Sequence, residues 1–268
     1  RPFATDASKF AFFCAALAAH LKQCKNRYDV IHLHDWHAGF YLLLRHYDPE
    51  FHELRSIRTV FTIHNLALQG IRPFAGDTSS LASWFPDLAV PLGRIADPRY
   101  TDCINPMLVA IRLADKINTV SPTYAEEILL PSDQARGFSG GEGLETDLQQ
   151  AAHERRLTGI LNGCEYSGFS HRPVGWQRLL DAASEALDSW QEPELATIKA
   201  VSAMSLKALP RRRPAHLLVS IGRLAAQKVS LFFQTTTDGR SALETILDEL
   251  GSSGMLIMLG SGNRPLED

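Results

Sequence analysis

Short apolar runs alternate with longer helical patterns along most of the chain. The runs are rich in Val and Ile, and their length fits strands that are buried on both faces, as in a parallel sheet. The runs are DVIHL at 29–33, TVFTI at 59–63, KINTV at 116–120, LTGIL at 157–161, HLLVSI at 216–221 and GMLIML at 254–259. Helical patterns occur at 7–24, 37–46, 104–114, 122–130, 142–155 and 239–250. The alternation predicts a doubly wound α/β architecture.

One predicted helix has a clear start signal in SPTYAEE. Ser121 is a suitable N-cap, Pro122 suits the first helical turn, and Glu126 and Glu127 lie near the positive end of the helix dipole. A well-formed helix start is therefore the simplest role for this motif.

Two stretches interrupt the pattern. Residues 66–103 are rich in Gly, Pro, Asp and Ser, and an irregular segment of that length in a compact domain is usually functional. Residues 164–215 contain prolines at positions 173, 193, 210 and 214, so we place a lobe boundary there.

Composition and charge narrow the classes of partner. The chain has 268 residues, 45% of them hydrophobic and 21% charged, with a formal net charge of -3. Without a global positive field, neither nucleic acid nor an acidic membrane is an expected partner. The basic run at 211–213 lies between prolines and is interpreted as a solvated linker. No apolar run approaches the roughly 18 residues of a membrane span.

The cysteines and the chain ends bear on compartment and completeness. Cys14, Cys24, Cys103 and Cys164 form no C-x-x-C pair, which fits a reducing cytoplasm. The chain opens at Arg1 and stops just after a predicted strand and its loop. We therefore expect truncation at both ends. A motif that is absent from this sequence is not taken to be absent from the whole protein.

Polar residues follow one predicted strand after another. In open parallel sheets, ligands bind at the carboxyl ends of the strands. The residues at these ends are His34-Asp35-Trp36-His37, His64-Asn65, Asn162-Gly163, Gly222-Arg223 with Lys228 shortly beyond, and Gly260-Ser261-Gly262-Asn263. Their recurrence at the same end of successive strands predicts one functional edge per sheet.

The cluster HLHDWH at 32–37 admits a metal site as an alternative. His32 and His34 alternate by two, so they face the same side of a strand, and with Asp35 and His37 they supply zinc-ligand chemistry. The alternative function is then a metal-dependent hydrolase. The competing interpretation is a set of packed, hydrogen-bonded histidines.

Arg223 and Lys228 indicate a different chemistry. Negative charge grows on a departing nucleoside diphosphate when a sugar donor is cleaved, and two fixed cations stabilise it without a metal. The sequence has no D-x-D motif, which would hold a divalent metal for this task. A pair of exposed surface charges is the other interpretation of these two residues.

Two glycine-bearing turns are candidate phosphate contacts. GSGN at 260–263 is a turn that lets backbone approach a phosphate closely, but a short G-x-G alone is a weak signal and an ordinary strand-to-helix turn is the favoured interpretation. SGGEG at 139–143 is either a flexible loop or a source of amides near a ligand.

Taken together, the motifs resemble the bacterial glycogen synthase and plant starch synthase family. The similar stretches are DVIHLHDWHAG at 29–39, VFTIHNLALQG at 60–70, LADKINTVSPTYAEEIL at 113–129, GEGLE at 141–145, GILNGCE at 159–165, GRLAAQK at 222–228 and LGSGNRPLE at 259–267. They cover most of 25–165 and again 216–267, in the order of the family, whereas 166–215 matches poorly.

The resemblance implies an α/β GT-B fold, with two Rossmann-like lobes and a cleft between them. It divides the chain into an acceptor-side lobe at 1–165 without its start, a connecting segment at 166–210, and the beginning of a nucleotide-sugar lobe at 211–268. It also implies transfer of glucose from ADP-glucose, or in some members UDP-glucose, to the non-reducing end of an α-1,4-glucan in glycogen or starch synthesis. Configuration is retained without a metal cofactor, and a bacterial cytoplasm is favoured over a plastid.

The family's site residues map onto this sequence by motif. As catalytic residues, Asp35 contributes structure or negative charge, His64 orients the glucosyl unit through its ring or carbonyl, and Arg223 and Lys228 contact the donor diphosphate. The expected substrate-binding residues are Asn65, Gln69, Asn162, Gly260 and Gly262.

Several departures from the family qualify this prediction. Val229 stands where the family has Gly, Cys164-Glu165 replaces a V-D or I-D pair, and the family's K-x-G-G loop and acidic C-terminal motif are absent. We therefore expect the chain by itself to be inactive. A non-catalytic glucan-binding homologue stays open as an alternative.

Overall fold

The computed structural model describes residues 2–24, 28–168, 174–189 and 196–262. They fall into two compact units, Arg1–Tyr166 and Ser167–Asp268. The division lies within the segment where the sequence placed a lobe boundary. Identification of the units with the lobes of a glycosyltransferase stays a prediction.

The first unit alternates strands and helices as predicted. In chain order it contains α1 (Pro2–Gln23), β1 (Val30–His34), α2 (Gly39–Tyr47), β2 (Arg58–Ile63), β3 (Arg72–Pro73), α3 (Leu81–Trp84), β4 (Cys103–Ile104), α4 (Pro106–Leu113), β5 (Lys116–Thr119), α5 (Pro122–Glu127), α6 (Glu145–His153) and β6 (Leu157–Gly159). Strands β1, β2, β5 and β6 form one parallel sheet in that order. The parallel α/β prediction is therefore confirmed.

Strand register aligns the carboxyl ends of this sheet. His34 pairs with Thr62, Ile63 pairs with Thr119, and Thr119 pairs with Gly159. The loops that leave the four strands consequently begin at the same edge.

The prediction that the strands are buried on both faces is wrong for β1, whereas β2 is buried on both faces from Phe61 to Ile63. Leu33, Phe61 and Ile117 join the core cluster together with buried residues of α1, α2, α4 and α6. On the other face, His32 and His34 are exposed. The alternation I-H-L-H in β1 is a period-two signal for a strand with one polar face, and the apolar-run criterion overlooked it.

The start of α5 confirms the predicted cap. The Ser121 hydroxyl accepts a hydrogen bond from the N–H of Tyr124 at 3.0 Å, and Pro122 occupies the first turn. Capping by a side-chain oxygen satisfies one of the free amides at a helix start.

The second unit contains α7 (Trp176–Ser189), α8 (Ala196–Ala208), β7 (His216–Ile221), α9 (Ala226–Phe233), α10 (Ala242–Leu250) and β8 (Gly254–Leu259). Strands β7 and β8 are parallel, paired from His216 with Gly254 to Ile221 with Leu259. Helices α7 and α8 occupy the segment expected to be a linker, and α9 was not predicted. The basic run at 211–213 is exposed, as expected.

Few of the described hydrophobic side chains in the second unit are buried. Among its described hydrophobic side chains, Trp176 and Val229 are buried. The Trp176 indole donates to the Pro210 carbonyl at 2.8 Å. None of the helices in the described ranges has the length and apolar character needed to cross a bilayer.

Candidate active site

The polar residues predicted for the first sheet lie together at its carboxyl edge. Asp35 directly follows β1, and its N–H donates to a carbonyl of β2 at 2.9 Å. His64 and Asn65 directly follow β2. Asn162 lies beyond β6, where its N–H donates to the carbonyl of Val120, just past β5, at 3.2 Å. Four predicted site residues thus share one edge.

Asp35 holds the backbone of the turn that follows β2. Its Oδ1 accepts hydrogen bonds from the N–H of His64 at 2.8 Å and of Asn65 at 3.3 Å. The φ angle of Asp35 is 53°, a left-handed conformation that a non-glycine residue adopts at a cost. Asp35 thus holds this turn in place, and the catalytic role expected of it stays a prediction.

His64 makes a second contact, through its ring. Its Nε2 lies 3.0 Å from Nδ1 of His34, within hydrogen-bonding distance. Burial lowers the pKa of His34, and the neighbouring His32 and His64 lower it further, against an opposing effect of Asp35. The sequence had placed His34 at the strand end, but it gave no sign of this contact.

Tyr124 is a residue that the sequence prediction missed. Its hydroxyl accepts a hydrogen bond from the N–H of Leu66 at 3.2 Å, which ties α5 to the turn after β2. Burial raises the pKa of Tyr124, and nearby carboxylates add to the effect. In the same turn, Oδ1 of Asn65 accepts from the N–H of Ala67 at 3.1 Å. The SPTYAEE motif therefore supports the site as well as starting a helix.

Gln69 is buried, and other protein groups surround it. Its Nε2 donates to the carbonyls of Leu66 at 3.1 Å and Glu142 at 3.0 Å. Its Oε1 accepts from Arg99 at 2.6 Å and from Asn105 at 2.7 Å. These four bonds use the full capacity of the amide. A contribution of Gln69 to substrate binding stays a prediction, and on this geometry it acts indirectly, through the loops that it holds.

The SGGEG segment is an anchored loop. The N–H of Gly141 donates to the Leu130 carbonyl at 2.7 Å, and a Cβ on Gly140 would lie 2.1 Å from that same oxygen. Of the two interpretations offered for this segment, a loop without fixed contacts does not fit.

Glycine is required at the carboxyl edge of the second sheet. A Cβ on Gly260 would lie 2.0 Å from the carbonyl oxygen of Gly222, and one on Gly262 would lie 2.2 Å from that of Leu224. The N–H of Leu224 also donates to the Ser261 carbonyl at 3.0 Å. Close packing of two loops therefore explains both glycines, and their contact with substrate stays a prediction.

Arg223 and Lys228 lie beyond β7 and are exposed. Lys228 is in the first turns of α9, and Arg223 is in the loop before it. Within the described residues, neither side chain has an ion-pair or hydrogen-bond partner. Val229, which departs from the family pattern and follows Lys228 in sequence, is buried.

The HLHDWH cluster does not converge on one point. His32 bonds to Thr62, whereas His37 stacks on Trp36 with ring centroids 4.2 Å apart. Asp35 and His34 are engaged with the turn after β2, as described above. Across the described ranges, no three His, Cys, Asp or Glu side chains are arranged to hold a metal ion. The metal-dependent hydrolase is therefore not favoured.

A cavity of about 930 Å³ lies at the opposite, amino-terminal edge of the first sheet. Its lining includes Asp115 and Arg156, which directly precede β5 and β6. Lining charges are paired with one another, as in the contact of Arg112 with Asp147 at 2.6 Å. None of the predicted site residues lines this cavity, so the two edges of the sheet are chemically distinct.

Comparison with known proteins gives a consistent set of matches. The family model of the starch synthase catalytic domain matches residues 1–150. Glycogen synthase from Yersinia pseudotuberculosis is 34% identical over 246 residues, covering 90% of this chain and 44% of that protein. Glycogen synthase from Aliivibrio salmonicida is 37% identical over 170 residues, covering 63% of this chain and 32% of that protein.

A solved structure is similar as well. The catalytic domain of starch synthase IV from Arabidopsis thaliana, bound to ADP and acarbose, matches with a TM-score of 0.61 and 27% identity. The match covers 98% of this chain and 48% of that chain. The chain thus spans between about a third and a half of the length of these relatives.

Proposed function

The chain belongs to the starch synthase catalytic domain family, and from this membership we propose that it serves the transfer of glucose from ADP-glucose to the non-reducing end of an α-1,4-glucan. The supporting observation is the placement of the motif residues at the carboxyl edges of two parallel sheets, where α/β proteins bind ligands. ADP-glucose is proposed over UDP-glucose because the starch synthase IV relative is bound to ADP.

Charge neutralisation is the task proposed for the second unit. When the bond between the anomeric carbon and the donor phosphate breaks, negative charge develops on the diphosphate. Arg223 and Lys228 are exposed, and no ion pair with a described residue neutralises them. We expect the Arg guanidinium to bind two phosphate oxygens and the Lys ammonium to act as a point charge.

Orientation of the glucosyl unit is the task proposed for the first unit. Asp35 fixes the main-chain amides of His64 and Asn65, so the carbonyl of His64, which shares a peptide plane with the Asn65 amide, has a set direction. Fixed dipoles at the anomeric centre stabilise a developing positive charge without reorganising during the reaction. Asn162, exposed at the same edge, is expected to bind a sugar hydroxyl.

The test is incorporation of labelled glucose into glycogen by the protein that carries this chain, with ADP-glucose or UDP-glucose and excess EDTA. We expect incorporation from ADP-glucose that survives EDTA. Lys228→Ala and Arg223→Ala should each lower turnover about 100-fold, the usual loss when one charge-stabilising contact is removed. Lys207→Ala and Arg213→Ala remove exposed cations of the same unit and serve as matched controls.

Each alternative gives a different result. Turnover of Lys228→Ala at the rate of its control contradicts the diphosphate assignment. Absence of incorporation from either donor, with glycogen binding retained, favours a non-catalytic glucan-binding protein. If EDTA abolishes activity and the purified protein contains bound zinc, the metal site is favoured.

A further inference from the structure

A row of hydrogen-bonded imidazoles lies on the polar face of the first sheet. The rings of His32 and His34 are 4.3 Å apart between centroids, and those of His34 and His64 are 5.2 Å apart. We call these three residues the histidine row. Two of them come from β1 and the third follows β2, so the row forms only when the two strands pair.

The hydrogen bonds of Thr62 and Asn118 determine which ring nitrogen of His32, the first member of the row, carries the proton. Oδ1 of Asn118 only accepts hydrogen bonds, so the Thr62 hydroxyl donates to it at 2.6 Å. That hydroxyl has a single hydrogen, so it accepts from Nε2 of His32, which lies 2.7 Å away. His32 therefore carries its proton on Nε2, and its contact with His34 is a tilted ring pair with an interplanar angle of 37°.

The contact of His34 with His64 requires the two rings to share one proton. Their facing nitrogens, Nδ1 and Nε2, are 3.0 Å apart, so one donates and the other accepts. If both rings were imidazolium ions, two N–H groups would point at each other. The titratable groups that face His34 are His32, His64 and Asp35. The hydrogen-bonded pair consequently holds at most one positive charge.

We propose that His34 is a positioning residue, which occupies Nε2 of His64 and leaves Nδ1 and the main-chain carbonyl of His64 to bind hydroxyls of the donor's glucosyl unit. His64 is then held at two points, since Asp35 binds its amide at 2.8 Å. Of the two modes predicted for His64, ring or carbonyl, both remain available, but the ring acts through Nδ1. The assignment of the sugar rests on the proposed function, whereas the pairing of the two rings does not.

The first test is nuclear magnetic resonance of the chain with ¹⁵N-labelled histidine. At pH 8, the His64 ring should show one fixed tautomer. In His34→Leu it should show the averaged shifts of a free imidazole, and in His34→Asn, whose amide replaces Nδ1, it should stay fixed. Unchanged His64 shifts in His34→Leu would overturn the pairing. Because His34 is exposed, both variants should fold, which circular dichroism checks. His153→Asn, an exposed change on α6, is the matched control.

The second test is glucose transfer by the protein that carries this chain. His34→Leu should lower kcat about tenfold, since misplacing a contact to the reacting sugar is costly. His34→Asn should recover to within about threefold of the unaltered protein, because it keeps the bond to Nε2. Full kcat in His34→Leu would overturn the positioning role. A protein that transfers no glucose would refute the proposed function, and the resonance test would still decide whether the rings pair.

Discussion

At the scale of single residues, Asp97 shows how one buried carboxylate organises the irregular segment between β2 and α4. Its Oδ1 accepts from the N–H groups of Arg99 at 2.8 Å and Tyr100 at 2.9 Å. Its Oδ2 accepts from Asn105 at 2.6 Å. Burial by itself raises the pKa of Asp97, but the hydrogen bonds from Asn105 and Arg99 outweigh it, and the pKa is lowered.

This lowered pKa predicts a pH-dependent contribution to stability. The folded state favours the carboxylate, so the stabilisation is fully present above the unfolded-state pKa of about 4 and is lost as pH falls through the lower folded-state pKa. Asp97→Asn should reduce the free energy of unfolding by about 2 kcal/mol at pH 7. The difference from the unaltered chain should shrink below about pH 4.

Urea unfolding at pH 7, 5 and 3 measures this difference. Asp87→Asn is the matched control, because Asp87 is an exposed aspartate of the same segment that makes no hydrogen bond or ion pair with the described residues. If Asp97→Asn lowers the free energy of unfolding as much at pH 3 as at pH 7, its effect comes from packing and not from charge.

At the scale of elements, α2 and α4 begin in close contact. A Cβ on Gly39 would lie 2.1 Å from the carbonyl oxygen of Pro106, so this glycine is required by packing. The helix is enclosed along its length, with its residues from Gly39 to Arg45 all buried. Neither helix can move away without opening the core between them.

Gly39→Ala should therefore lower the free energy of unfolding by about 3 kcal/mol, the upper part of the range for overpacking. Gly93→Ala is the matched control, because no atom lies within 4 Å of the added Cβ, and its effect should be below about 0.5 kcal/mol. Urea unfolding followed by circular dichroism provides both values. Equal stability of the two variants would mean that α2 and α4 separate at little cost.

Sequence patterns predicted most elements but not every segment. Each strand named in advance is present, because short Val- and Ile-rich runs identify strands well. Helices α7 and α8 were missed because the prolines of 164–215 were taken as signs of a linker. The four prolines stand at positions 173, 193, 210 and 214, and none of these positions falls within α7 or α8, so the prolines do not interrupt either helix.

The sequence predicted which edge of the sheet carries the candidate site, but it did not predict the side-chain contacts made there. Strand-end reasoning brought Asp35, His64 and Asn162 together, because parallel strands end at a common edge. The contact of His34 with His64 joins positions 30 residues apart and depends on strand register. Similarly, a capped helix start does not reveal that the hydroxyl of Tyr124 binds the turn after β2.

At the scale of the whole molecule, the two units differ in how much apolar surface each buries within itself. The core cluster of buried residues runs from Ala7 to Ala151 and belongs entirely to the first unit. In the second unit, Val219, Ile221 and Phe233 are among the exposed large hydrophobic side chains. Since apolar burial is the main favourable term in folding, internal stability should be unequal.

Hydrogen exchange of the whole chain should show this inequality directly. We expect the amides of β2 to exchange at least tenfold more slowly than those of β8, because opening a strand with a buried face costs more than opening one within a sparsely covered pair. Both strands are parallel and have six residues, and the comparison is restricted to amides that bond to a neighbouring strand, because β2 is paired on both sides and β8 with β7. Residues 1–166 produced alone should keep the slow exchange of β2, since their core is internal. Loss of that protection, or equal rates in the two strands of the whole chain, would mean that the two units fold as one cooperative body.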